Sequence, residues 1–174
     1  LKETVTSDFP ELKPVNYTVK YVDKSLEEHV SPAFYLTPQL DNYKENSIYI
    51  NGSSKNDLSS IFPTLAHEGY PGHLLQTVYF QQQNPTPLRA MLNYGGYSEG
   101  WATYAEIYSY DIAKLSDNLG EYAKQYSIFN LCMYAEMDIG VNYDCWTKED
   151  LGKYLQDFGV SNEDAINEVF DIVV

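Results

Sequence analysis

Two of the three histidines in this 174-residue sequence stand six positions apart, in His67-Glu68-Gly69-Tyr70-Pro71-Gly72-His73, and a carboxylate follows the first. Paired imidazoles with an adjacent acid are donors that zinc accepts. In the HExxH pattern, two histidines one turn apart share a helix face and the intervening glutamate points to the water on the metal. Here the second histidine comes two residues later. A spacing of six separates side chains by about 120° on a regular helix, so a straight helix cannot aim both rings at one ion. Pro71-Gly72 offers the remedy. Proline removes a backbone donor and crowds the preceding turn, and glycine tolerates the unusual dihedrals of a bulge. The expectation is a local break that brings His73 back beside His67.

A catalytic zinc takes three protein ligands and keeps a fourth position for water. The third ligand is expected from Gly96-Tyr97-Ser98-Glu99-Gly100-Trp101-Ala102-Thr103-Tyr104-Ala105-Glu106. There Glu99 opens a helix as the ligand, and Glu106 follows two turns later on a similar face as its support. Histidines first, then a glutamate 26 residues on, is the gluzincin order. The chemistry would be peptide hydrolysis with Zn²⁺ as cofactor. The ion lowers the pKa of its water toward ~7 and polarises the scissile carbonyl, while Glu68 takes the proton as general base and passes it to the leaving amine. A tyrosine, one of seventeen, would serve the oxyanion, and the sequence singles out none of them.

The plainer reading makes His67 and His73 satisfied core residues on a kinked helix. It is the better one for an isolated histidine. It is weaker for His-Glu plus a second histidine across Pro-Gly, with an acid-rich helix downstream. His29 lacks such company and reads as a solvated helix-end residue. Trp101, Tyr104 and Tyr108 read as core, and Glu106 taken alone would be a solvated charge.

Positioning these residues falls to a mainly helical chain with a small β element. Residues 1–56 are a proline-rich segment with short strands, expected at Asn16–Val22 and Ser47–Gly52, and a helical turn over Lys24–His29. From 57 to 174 the chain is the helical zinc-site region of one catalytic domain. Apolar residues such as Leu58, Phe62, Leu65, Leu74, Leu75 and Val78 give a helix over Asp57–Gln83, interrupted at Pro71-Gly72. A second helix starts near Pro87. Gly95-Gly96 divides it from a third, Ser98–Leu115, with Ser98 as N-cap. A fourth covers Glu121–Tyr143. Thr147-Lys148-Glu149-Asp150 and Ser161-Asn162-Glu163-Asp164 resemble caps opening two more.

Eleven Lys and Arg against 25 Asp and Glu give a formal charge of -14, which repels the phosphate backbone and argues against a nucleic-acid partner. No stretch approaches the ~20 apolar residues of a membrane-spanning helix. Cys132 and Cys145 are too few and too oddly spaced for a disulfide framework, and are expected as ordinary core or helix-face thiols. A start at Leu1 and an apolar run up to Val174 suggest a piece of a longer protein. The compartment stays open, an exported or cell-surface one included.

HEGYPGH followed by YSEGWATYAE resembles the HExxPGH and EGWAxYAE signatures of the bacterial family known as domain of unknown function eight-eight-five. Ser31-Pro32-Ala33-Phe34-Tyr35, Pro38-Gln39-Leu40-Asp41, Asp138-Ile139-Gly140-Val141-Asn142 and Trp146-Thr147-Lys148-Glu149 resemble its flanking patterns. The resemblance implies a zincin-like metallopeptidase catalytic domain, with an edge strand near Ile48–Asn51 beside the cleft. It also implies parent chains several times longer, with helices before this piece and a tyrosine-rich stretch after it. Two positions depart from the pattern: Leu74 and Asn142 stand where many members carry histidine. The implied partner is a peptide or protein substrate. The rival readings are a catalytically silent metal- or peptide-binding module, a helical interaction domain with incidental histidines, and a zinc hydrolase of non-peptide amides or esters.

Overall fold

β-branched and aromatic residues alternate through Asn16–Tyr21 and Glu45–Ile50, and both segments form strands, β1 and β3, with β2 (Ala33–Leu36) between them in sequence. The computed structural model describes residues 3, 7–57 and 61–174, so Leu58 lies outside the described residues. In space the order is β1-β3-β2, with β1 parallel to β3 and β2 antiparallel to it. The segment expected as the edge strand is therefore the centre of the sheet. The edge strands are β1 and β2, and the four residues of β2 are too short to stand out by periodicity. Buried Asn46 ties the strands together: its amide donates to Asn16 O and Tyr43 O, and its Oδ1 accepts the Tyr35 hydroxyl at 2.6 Å.

The helices are α1 (Phe62–Glu68), α2 (His73–Gln82), α3 (Pro87–Met91), α4 (Gly95–Ile112), α5 (Asp117–Asn142), α6 (Lys148–Gln156) and α7 (Glu163–Val173). Of the described residues 52% are helical. Asp57 is loop and α1 starts at Phe62, where Pro63 suits the first turn. Lys24–His29 is a run of turns with i→i−3 bonds, and His29 is exposed. The glycines Gly95 and Gly96 begin α4 rather than ending a neighbour, so Ser98 lies inside the helix and is not its cap.

By its internal contacts the chain forms two compact units, Leu1–Glu121 and Tyr122–Val174. In the first, Ile48, Tyr70, Leu74, Leu75 and Val78 form the core, with Trp101 and Tyr108 packed on it. Tyr104 is exposed instead, its ring meeting Phe9 and Trp101 at the edge. Leu74 is fully buried there, so this departure from the family pattern serves packing. In the second, Met137, Leu151 and Leu155 are buried. Asn142, the other departure, donates to Asp138 Oδ1 and to Val173 O, holding the end of α5 to α7. Both cysteines are free and exposed, which removes the core option for them.

Candidate metal centre

Alanines let α1 and α4 approach closely. Ala66 on α1 and Ala102 and Ala105 on α4 are fully buried, and Glu99 and Glu106 flank Ala102 three residues before and four after. That spacing keeps both carboxylates on the face that meets α1. His67 is the penultimate residue of α1 and His73 the first of α2. The four residues between the two helices, Gly69 to Gly72, reverse the chain tightly: Gly69 N donates to Leu65 O, and Gly72 N to Ala66 O, each at 2.9 Å. A Cβ on Gly72 would collide with the carbonyl oxygens of His67 and Ala66, which is why glycine stands there. The Tyr70–Pro71 peptide is cis.

The result brings the two imidazole rings within 4.8 Å of each other, centroid to centroid, nearly perpendicular. One oxygen of Glu99, Oε2, lies 3.4 Å from His67 Nε2 and 3.4 Å from His73 Nε2. Donors at about 2.0–2.1 Å from a tetrahedral zinc stand about 3.4 Å apart, so the donor set fits that ion. Glu68 also lies close: one donor atom from each of His67, Glu68 and His73 falls within 4.8 Å of the others. The Glu99 oxygen is thus equidistant from the two ring nitrogens, while Glu68 completes a second group with the same two histidines. Glu68 Oε2 accepts the backbone N–H of Tyr35 at 2.8 Å, fixing that carboxylate beside the donor set on the free edge of β2.

Glu106 Oε2 meets His67 Nδ1 at 3.1 Å. This contact leaves Nε2 of the ring to face the cluster, the arrangement typical of a ligating histidine. The Glu106 hydrogen bond, ahead of the charges of Glu68, Glu106 and Glu99, raises the His67 pKa, and partial burial opposes it. Ser98 Oγ makes a long contact with His73 Nδ1, at 3.4 Å. Trp101, expected as core alone, also donates Nε1–H to Pro71 O at 2.8 Å and so fastens the chain reversal to α4.

All five site residues expected from sequence, His67, Glu68, His73, Glu99 and Glu106, therefore gather at one place. Sequence reading missed Tyr35, whose backbone does the binding and leaves no side-chain signal, and the Trp101 anchor, where a tryptophan one turn from Pro-Gly in space is invisible along the chain. A cleft of 980 Å³ opens from the cluster. Glu68, His73 and Glu99 line one part; Tyr35, Thr37 and Pro38 follow the β2 edge, and the segment from Arg89 to Tyr94 forms a further wall. Glu99, 64% exposed, faces this opening. Tyr35 is a poor free donor, since its hydroxyl is given to Asn46 and burial pushes its pKa far up. Tyr94 and Tyr97 in the same lining are exposed.

Fold and site together define a mainly helical protein with a small sheet and a cluster of two histidines and three glutamates. The family profile described as "Bacterial protein of unknown function (DUF885)" matches residues 1–171, and the chain belongs to that family. Among curated proteins none matches the chain. A crystal structure described as that of "the putative lipoprotein from Colwellia psychrerythraea" is similar at a TM-score of 0.74 and 22% identity, over 99% of this chain and 30% of that one. The chain thus spans 30% of that protein's length, and at this identity the likeness concerns fold alone. No described helix is long and apolar enough to cross a membrane.

Proposed function

We propose that the cluster is the zinc centre of a gluzincin-type peptidase, with His67, His73 and Glu99 as ligands and Glu68 as general base. The observation that carries this reading is the placement of one Glu99 oxygen 3.4 Å from both imidazole Nε2 atoms, with the Glu68 carboxylate alongside. Zinc bound there supplies an acidified water and a polarised carbonyl. The protein's own groups do the rest. Glu106 sets the His67 tautomer, the Tyr35 N–H holds Glu68 where it can take a proton and return it to a leaving amine, and Gly72 and Trp101 keep His73 in line. Tyr94 and Tyr97, both exposed in the cleft lining, are the phenols available to a developing oxyanion.

The free edge of β2 beside Glu68 suits an extended peptide as substrate. The description of the Colwellia protein as a "putative lipoprotein" is compatible with an exported or cell-surface location for this activity. The test is elemental analysis of purified protein together with cleavage of a peptide library by zinc-loaded protein. One zinc per chain, lost in His67→Ala, and cleavage lost in Glu68→Gln with zinc retained, are expected. Absence of stoichiometric zinc defeats the reading, and zinc without cleavage of any peptide reassigns the chain to a silent binding module or to a non-peptide hydrolase.

A further inference from the structure

The cleft holds one cation that the proposed chemistry leaves unused. Arg89, on α3, is the only arginine in the sequence and, among the described residues, the only Lys or Arg in the cleft lining shared with Glu68, His73 and Glu99. Its guanidinium lies over the Phe80 ring, 5.9 Å from the centroid. Among the described residues it has no ion pair and no hydrogen bond. The two acids of the same cleft are already engaged: Glu68 with the Tyr35 N–H, and Glu99 with the two imidazoles. Arg89 thus presents five donors, in a rigid fork, to whatever enters. A carboxylate is the group that matches such a fork, and within this cleft Arg89 is the cationic group of the described lining that would attract one.

The position sets a distance. Phe80 comes seven residues after His73 on the same helix, about 10 Å along its axis. An extended peptide covers about that length in three residues. Resting on the peptidase reading above, we propose that Arg89 holds a substrate carboxylate about three residues from the bond that is cut. The substrate class is then short peptides bearing either a free C-terminus or an Asp or Glu side chain at that place.

Three probes on the zinc-loaded protein test this: a neutral peptide with a free C-terminus, its C-terminal amide, and the amide carrying Glu three residues beyond the scissile bond. Cleavage is followed as kcat/KM, and binding by fluorescence anisotropy of the labelled peptides on the Glu68→Gln protein. The expected result is a preference of about ten- to hundred-fold for a carboxylate peptide over the neutral amide. Arg89→Gln brings the carboxylate peptides down to the level of the amide, through KM and Kd, while Arg89→Lys, a point charge, keeps part of the preference. Unchanged zinc content and Tm in both variants guard against misfolding. Preference for the free acid assigns the C-terminal carboxylate, and preference for the Glu amide assigns the side chain. A preference that survives Arg89→Gln, no preference in the unmodified protein, or no binding of either carboxylate peptide overturns the proposal. Arg89-dependent binding with no cleavage of any probe instead defeats the peptidase reading and leaves the carboxylate site standing.

Discussion

Helix ends are made in different ways in the two units. In Tyr122–Val174 they are written locally: Thr147 and Asp150 form a reciprocal capping box at α6, and the Asn162 side chain accepts Ala165 N at α7. Both helices carry a strong apolar stripe. In Leu1–Glu121 none of α1 to α4 has a side-chain cap, and the stripes of α2 and α4 are weak: the buried positions of α4 are the small Ala102, Ala105 and Ser109, while Tyr79 on α2 and Tyr97 and Tyr104 on α4 are exposed. Where helices only need to pack, short-range signals place their ends. Where they bring His67, His73 and Glu99 together, packing and a forced chain reversal place them.

The largest expected effect lies in the first unit. Glu68→Gln should lower kcat by about 10²–10⁴-fold with zinc retained, and a variant with near-normal turnover would remove Glu68 from proton transfer. Next comes the chain reversal. Gly72→Ala should cost about 3 kcal/mol in urea unfolding and strip zinc from the protein, since the added methyl has no room beside the His67 and Ala66 carbonyls. Stoichiometric zinc in that variant would mean the reversal is not what aligns the rings.

Glu106→Gln should weaken zinc binding about 10–100-fold and change its pH dependence. The His67 pKa is raised chiefly by Glu106, so the protonated ring steadies the metal-free protein below 6.5 and this contribution is lost as pH rises through the raised value. Zinc needs the neutral ring, so affinity falls as pH drops through that same raised value. In Glu106→Gln the acid limb of a zinc titration should move to lower pH, and an unmoved limb would detach Glu106 from His67.

The smallest effect belongs to the second unit. Thr147→Ala should cost about 1 kcal/mol and leave zinc content unchanged. Hydrogen bonds from Thr147 hold the Asp150 pKa below its ordinary 3.8, so the stabilisation present above that pH is lost as pH falls through the lowered value. The variant should show a shallower acid limb in its stability profile. A loss of zinc in Thr147→Ala would blur the contrast between the units.

The same contrast explains what was legible in the sequence. The capping motifs of α6 and α7 and the strands β1 and β3 follow from neighbours a few residues apart, and their bounds came within a residue or two. The His67, His73, Glu99 and Glu106 grouping was readable because residue type and helical period limit where ligands can lie. The start of α1, the beginning of α4 at Gly95 and the edge role of β2 were not, because they are settled by contacts between segments distant in the chain. Ser98 shows the difference well: a good local cap, it is spent instead on a long contact with His73.

Trp101 has a consequence of its own. Its indole N–H is bonded to the Pro71 carbonyl, within the stretch that carries His73, and the sequence has only two tryptophans. The other, Trp146, packs on the Met137 cluster of the second unit. The protein thus contains an intrinsic optical gauge: emission from Trp101 should follow loading of the proposed metal centre, while that of Trp146 serves as the steady reference.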